Sequence, residues 1–145
     1  MTNIKTFLSI LFFMGFSSFN LILAQTVLDK WENRNDEGKV NSIIEVYEQD
    51  NQIFGRIEKI MKEEDRDRKC TACEGDLHNE PLEGLVIMRG LEKEGDGYED
   101  GVIIDPESGK EYKCKIWLDP ENPDKLYVRG YIAFFYKTKV WERLK

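Results

Sequence analysis

The chain has 145 residues, which is the size of a single domain. Its formal net charge is −7, whereas nucleic-acid-binding proteins and proteins that adhere to anionic membranes normally carry a basic surface. Hydrophobic residues make up 41% and charged residues 34%, which excludes both a disordered tract and a polytopic membrane protein. The composition therefore predicts one folded domain with no nucleic-acid partner.

The first 24 residues have the layout of a secretory signal peptide. Lys5 precedes an uncharged stretch, residues 7–24, and Ala24 is a small residue at the expected cut. An uncleaved membrane anchor is the alternative, since a span needs ~18 apolar residues. We expect cleavage after Ala24, a domain of residues 25–145 with no membrane span, and a periplasmic or secreted location.

The remaining residues read as β-strands separated by turns rich in Gly, Asn, Asp and Pro. Alternation is clearest in the sixth run, where Tyr112, Cys114 and Ile116 share one face. Eight strands are predicted, near residues 27–33, 39–49, 52–60, 85–92, 98–104, 110–118, 125–133 and 136–143. Short connections favour an antiparallel sheet, and closing that sheet into an up-and-down barrel removes its edges.

Two stretches fit the strand pattern poorly. Residues 56–65 also have apolar residues at helical spacing, so a helix is the alternative there. Residues 62–82 show no periodicity and form the one long loop, a feature that is often functional and otherwise mobile.

The long loop contains the motif Cys70-Thr71-Ala72-Cys73. In an oxidising compartment, two cysteines this close are expected to form a disulfide. Two alternatives remain: a redox dithiol, and a zinc site completed by His78, the chain's one histidine. Cys114 lies on the apolar face of its strand and is predicted to be a buried free thiol.

No sequence motif typical of an enzyme is present. The chain lacks a nucleophile elbow, a phosphate-binding glycine loop and a paired-histidine metal motif. Residues 96–107 partly match a calcium loop, but Tyr98 stands where an oxygen ligand is needed, so a hairpin is the better interpretation. We expect no catalytic residue, no metal and no cofactor.

Three sequence blocks and three flanking residues form a succession that resembles a known family. They are Asn-Glu-Pro-Leu-Glu-Gly-Leu at 79–85, Gly-Val-Ile-Ile-Asp-Pro-Glu-Ser-Gly-Lys-Glu-Tyr at 101–112 and Leu-Tyr-Val-Arg-Gly-Tyr at 126–131, flanked by Trp31, Trp141 and Arg143. From residue 31 to residue 143, this succession resembles the exported bacterial family known as domain of unknown function 2147. The resemblance implies a lipocalin-like (calycin) β-barrel and an exported protein, and it implies no particular activity.

The resemblance also implies how the barrel closes. Lipocalin-like barrels carry Gly-x-Trp on the first strand and an Arg on the last, with the Arg lying over the indole ring. Trp31 and Arg143 match this pair, whereas Asp29 occupies the glycine position. A guanidinium over an indole contributes ~1–2 kcal/mol when desolvated, so these residues are expected to be architectural.

Three functional hypotheses follow from such a barrel. The first is a non-catalytic binding module for a small, partly apolar molecule, with its interior lined by Ile44, Val46, Ile116, Leu118, Leu126 and Val128. The second is a barrel without a ligand that binds a protein partner through an outer face formed by Trp117, Tyr127, Arg129 and Tyr131. The third is a redox or zinc site built on the loop with Cys70, Cys73 and His78.

Overall fold

A computed structural model describes residues 25–145, and the predicted signal peptide lies outside the described residues. Eight antiparallel strands in sequential order form a closed barrel, which confirms the predicted fold. The strands are β1 (Lys30–Arg34), β2 (Val40–Gln49), β3 (Gln52–Ile60), β4 (Val86–Glu94), β5 (Gly97–Ile104), β6 (Glu111–Leu118), β7 (Lys125–Ile132) and β8 (Phe135–Arg143). No helix within residues 25–145 is long and apolar enough to cross a membrane.

The barrel has two different ends, defined by where its first and last strands meet. At the closed end β1 begins and β8 ends, and at the open end β1 ends and β8 begins. Tight turns serve both ends: Asp50 and Asn51 adopt positive φ values of 49° and 64° between β2 and β3. Such left-handed pairs match the twist of a two-residue hairpin, and Asn and Asp tolerate them best.

The long loop lies at the open end and is packed against the barrel. It holds two short 3-10 helices, Glu63–Asp65 and Gly75–Leu77, so residues 56–65 form the end of β3 and a single turn instead of a long helix. Leu82 and Leu85 join the core. The loop bonds to itself through a bridge between Lys69 and Pro81.

A close backbone contact docks the loop onto the turn between β5 and β6. Gly109 has a φ of +72°, and a Cβ atom there would lie 1.8 Å from the carbonyl oxygen of Ala72. Only glycine permits both that conformation and that approach. Arg68 adds an ion pair to Glu107 at 3.0 Å, so the loop and the turn are joined at two points.

The seam between β1 and β8 is short. Only two residue pairs are in register, Trp31 with Arg143 and Glu32 with Glu142. Beyond these two pairs, β1 and β8 are not paired. On the β1 side, residues 135–140 of β8 therefore have no strand partner within the described part of the chain. The wall of the barrel is therefore open beside β8 at one end.

Candidate functional site

The closed end is built around Trp31, whose side chain is fully buried. Its indole Nε1–H donates to the carbonyl of Val27 at 2.9 Å, so the segment before β1 folds under the barrel. The Arg143 guanidinium lies 4.4 Å from the centre of the indole ring. This is the arrangement that the resemblance implied.

Arg143 also ties together the chain segments at this end. Its guanidinium donates to Asp124 at 3.1 Å, to the Pro123 carbonyl at 2.9 Å and to Asp29, the residue in the family's glycine position. Burial disfavours the charged form of Asp29. The Lys30 backbone N–H and the Arg143 guanidinium outweigh that effect and hold the pKa of Asp29 below its ordinary value. Asp29, which stands where the family has glycine, therefore adds one more carboxylate to the contacts of Arg143 at the closed end.

Five of the six predicted lining residues are packed together in or near the closed half. Ile44, Val46, Ile116 and Leu126 are at most 3% exposed and belong to one core cluster with Trp31. Leu118 packs against that cluster. Their neighbours fill the space between them, as in a close-packed protein interior. Their role as ligand contacts remains a prediction.

The open half contains a cavity of about 410 Å³. Residues from β4 through β8 and from the end of β1 line it, and Val128 is the one predicted lining residue among them. The apolar part of the lining includes Ile87, Ile104, Val128, Ile132, Phe135 and Trp141. The volume and the mostly apolar wall are typical of a small-molecule site.

Two unpaired polar atoms lie in the cavity wall. The Asn33 Oδ1 acceptor and the Trp141 Nε1–H donor are buried and have no hydrogen-bond partner among residues 25–145. They occupy the next position along the seam, where β1 and β8 stop pairing. Because a buried donor without a partner costs ~1–3 kcal/mol, such atoms in a cavity indicate a ligand or solvent partner.

Lys137 and Lys139 are the charged residues of β8 that line the same cavity. Alternation along the strand places them on the same side as Phe135 and Trp141, and both lysines are exposed at the edge of the cavity. Neither lysine forms an ion pair with any residue from 25 to 145. Asp105 also lines the cavity, but its two oxygens accept from the Glu107 backbone N–H at 3.0 Å and the Ser108 hydroxyl at 2.9 Å.

The predicted outer face forms one stack on the barrel surface. Trp117 and Tyr127 stack with their ring centres 5.3 Å apart, and the Arg129 guanidinium lies 4.9 Å from the Trp117 ring. Tyr136 was not predicted to belong here, yet it joins the stack, 4.3 Å from Arg129 and 6.0 Å from Tyr131. These rings cover one another, so the four predicted residues are half-buried.

The most exposed apolar residues lie at the tip of the β7–β8 hairpin, beside the mouth of the cavity. Phe134 is 99% exposed, Phe135 75% and Ile132 52%. In the sequence these residues fall at a predicted turn and the neighbouring strand ends, and no role is predicted for them. A run of three aromatics, Phe134, Phe135 and Tyr136, at a turn was the available signal.

The loop cysteines form the predicted pair. The two sulfur atoms of Cys70 and Cys73 lie at bonding distance, with Cα atoms 5.3 Å apart. Both residues are buried, whereas redox-active cysteines are partly exposed. His78 Nδ1 lies 3.0 Å from the Cys73 carbonyl oxygen. Within residues 25–145, no three His, Cys, Asp or Glu side chains are grouped to hold a metal.

The structure also locates the third cysteine and the partial calcium loop. Cys114 is a free cysteine with 2% exposure, and burial raises the pKa of its thiol to about 12. Asp96 and Glu107, the ends of the partial calcium loop, lie at opposite ends of β5. The hairpin interpretation is therefore the one that the structure supports.

Comparison with known proteins agrees with this architecture. A family model described as "Uncharacterized protein conserved in bacteria (DUF2147)" matches residues 29–143. Among curated proteins, no relative matches the chain.

One solved structure is similar over most of its length. It is titled "Protein HP1028 from the human pathogen Helicobacter pylori belongs to the lipocalin family", and it superposes with a TM-score of 0.71 at 18% sequence identity. The similarity covers 83% of this chain and 84% of that chain. At this identity the match shows a shared fold.

Proposed function

The chain belongs to the bacterial family DUF2147 and has a lipocalin-like barrel, and we propose that it is a non-catalytic binding module for a small, partly apolar molecule. The observation that carries the proposal is the cavity at the open end, with its mostly apolar wall and two unpaired polar atoms. A purely structural core would fill this space and pair these atoms.

An exported location is part of the same proposal. Its support is the charged start and apolar stretch of the first 24 residues, together with the cysteine pair in the loop. Cell fractionation with an antibody against the protein tests it. Recovery from the periplasm or the medium in a form that begins at Gln25 is expected, and an uncleaved cytoplasmic protein would contradict it.

The binding role is tested with a neutral fluorescent compound, N-phenyl-1-naphthylamine, which becomes brighter in an apolar site. We expect saturable binding by residues 25–145. Val128→Phe should abolish it by placing a ring in the cavity, whereas Val140→Phe, on the outward side of β8, should not. Thermal melts establish that both variants are folded. A wild-type protein that does not bind this compound or any other small amphiphile would contradict the proposed role.

A protein-interaction role is the second candidate, favoured by the outer stack and the hairpin tip. Arg129, Trp117 and Tyr136 are residue types enriched at contact sites, and the tip adds exposed phenyl rings. Cross-linking in cells of the native host distinguishes the two roles. A specific partner lost in Phe134→Ser, with small-molecule binding unchanged, would show that the tip serves a partner.

A further inference from the structure

We infer that the cavity takes an anionic amphiphile, a molecule with an apolar chain and a carboxylate-like headgroup. Its headgroup is bound by Lys137, Lys139 and Trp141, which line the cavity from the same side of β8 and are called the β8 row below. This inference rests on the proposed binding function. Three features of this row support the inference: two lysines without an ion pair among residues 25–145, one buried N–H donor without a partner in that range, and a position where the pairing of β1 with β8 ends.

The charge in the cavity is positive, although the chain as a whole carries −7. Lys137 and Lys139 are exposed residues that line the cavity, and they contribute two ammonium groups that form no ion pair with a carboxylate within residues 25–145. The one acidic residue in the wall, Asp105, is engaged by its own turn. An acidic headgroup would supply the missing counter-charge.

Trp141 adds a directional donor to this charge. Its side chain is 3% exposed, and its Nε1–H has no acceptor within the described chain. It lies two residues after Lys139 on the same side of the strand, a spacing of about 7 Å. A lysine side chain reaches across that distance, so one anionic oxygen can accept from both groups.

A neutral hydrogen-bond acceptor on β1 adds a second polar contact opposite the β8 row, and it adds no charge to the cavity. Asn33 Oδ1 lies across the seam and prefers a donor, such as the hydroxyl of a protonated or substituted headgroup. The apolar wall formed by Ile87, Ile104 and Val128 is left for the chain of the ligand. The cavity thus separates a polar side along the seam from an apolar side across the barrel.

The test uses isothermal titration calorimetry with decanoate, 1-decanol and decyltrimethylammonium, which share a ten-carbon chain and differ in headgroup charge. Decanoate should bind about tenfold more tightly than decanol, which is the effect of one charge-assisted hydrogen bond. The cation should bind most weakly. Equal binding of decanoate and decanol would overturn this inference and leave the proposed function standing, whereas no binding of any of the three would overturn both.

Variants test whether the lysines act locally. The double variant Lys137→Gln, Lys139→Gln should lower decanoate affinity about tenfold and leave decanol binding unchanged. The control is Lys93→Gln, Lys125→Gln, which removes the same charge at the closed end. If both double variants weaken decanoate equally, the effect is one of net charge and the inference is wrong.

Trp141→Phe tests the donor. It keeps an aromatic ring in the wall but removes the unpaired N–H together with the five-membered ring, so a modest loss of stability from the smaller buried side chain is expected. Decanoate affinity should fall severalfold, because the hydrogen bond to the headgroup is lost. Unchanged decanoate affinity in this variant would overturn the assignment of the headgroup to the β8 row.

Discussion

The two ends of this barrel use the same residue types in opposite ways. At the closed end, Trp31 is buried with its N–H paired and a guanidinium over its ring. In the wall of the cavity, Trp141 is equally buried, yet within residues 25–145 its N–H has no partner and the two lysines that precede it on the same side of β8 form no ion pair. Buried polar groups that are fully paired stabilise a fold, whereas unpaired ones are retained for what they bind. We therefore interpret the closed end as structural and the cavity as the proposed binding site.

The largest effect is expected at the closed end. Trp31→Ala should lower the free energy of unfolding by ~3–5 kcal/mol, because it removes a fully buried aromatic side chain and leaves a cavity. Trp31→Phe and Trp141→Phe are the matched pair: both remove the same ring atoms, but only Trp31→Phe leaves a carbonyl without its donor, so it should cost about 1 kcal/mol more. Urea melts measure both. Similar losses in the two variants would remove the distinction between the ends.

A smaller loss is expected for the residue that covers Trp31. Arg143→Ala should cost about 2–3 kcal/mol, because it removes the ring contact and leaves the acceptors of the closed end without their charged donor. Arg89→Ala, in an exposed ion pair with Glu111, is the control and should cost less than ~1 kcal/mol. If Arg143 behaves like Arg89 in denaturant melts, it does not hold the end together.

The disulfide at the open end should matter moderately. Replacing both Cys70 and Cys73 by Ser should cost on the order of 2 kcal/mol, since the ring restrains only a few residues of the unfolded chain. Far-ultraviolet circular dichroism should show an intact barrel in this variant. Loss of the β-signal would mean that the loop supports the whole fold and that the open end is no less structural than the closed one.

The smallest effect on stability is expected at the hairpin tip. Phe134→Ser should change the free energy of unfolding by less than ~0.5 kcal/mol, because its ring is 99% exposed. A calorimetric melt is sufficient to measure this. A loss above 1 kcal/mol would show that the ring packs against the protein in solution.

Sequence patterns predicted the barrel well because its strands alternate and its turns carry residues with special backbone preferences. The strand bounds agree to within three residues, and the Trp31–Arg143 contact follows from the family resemblance. Alternation shows which face of a strand is buried but not how far along the barrel axis a residue lies. The pattern therefore predicts that Ile44 and Ile116 face the interior, but it does not predict that they lie in the core cluster around Trp31.

The cavity was largely missed because its polar residues look like surface residues in the sequence. Lys137 and Lys139 alternate with Tyr136 and Thr138, which reads as an ordinary solvated strand. Their position at the edge of the cavity becomes visible only when Trp141 is known to face the core and the seam is known to end at Glu32. No local pattern reports where two distant strands stop pairing.

The short seam has a further consequence for how these molecules behave in concentrated solution. Closing a sheet normally leaves no edge, but on the β1 side residues 135–140 of β8 have no strand partner among residues 25–145. Such an edge is a template for strand addition by a neighbouring chain, and lysines are among the devices that prevent it. Lys137 and Lys139 lie on this strand, and apolar replacements there are expected to favour edge-to-edge association.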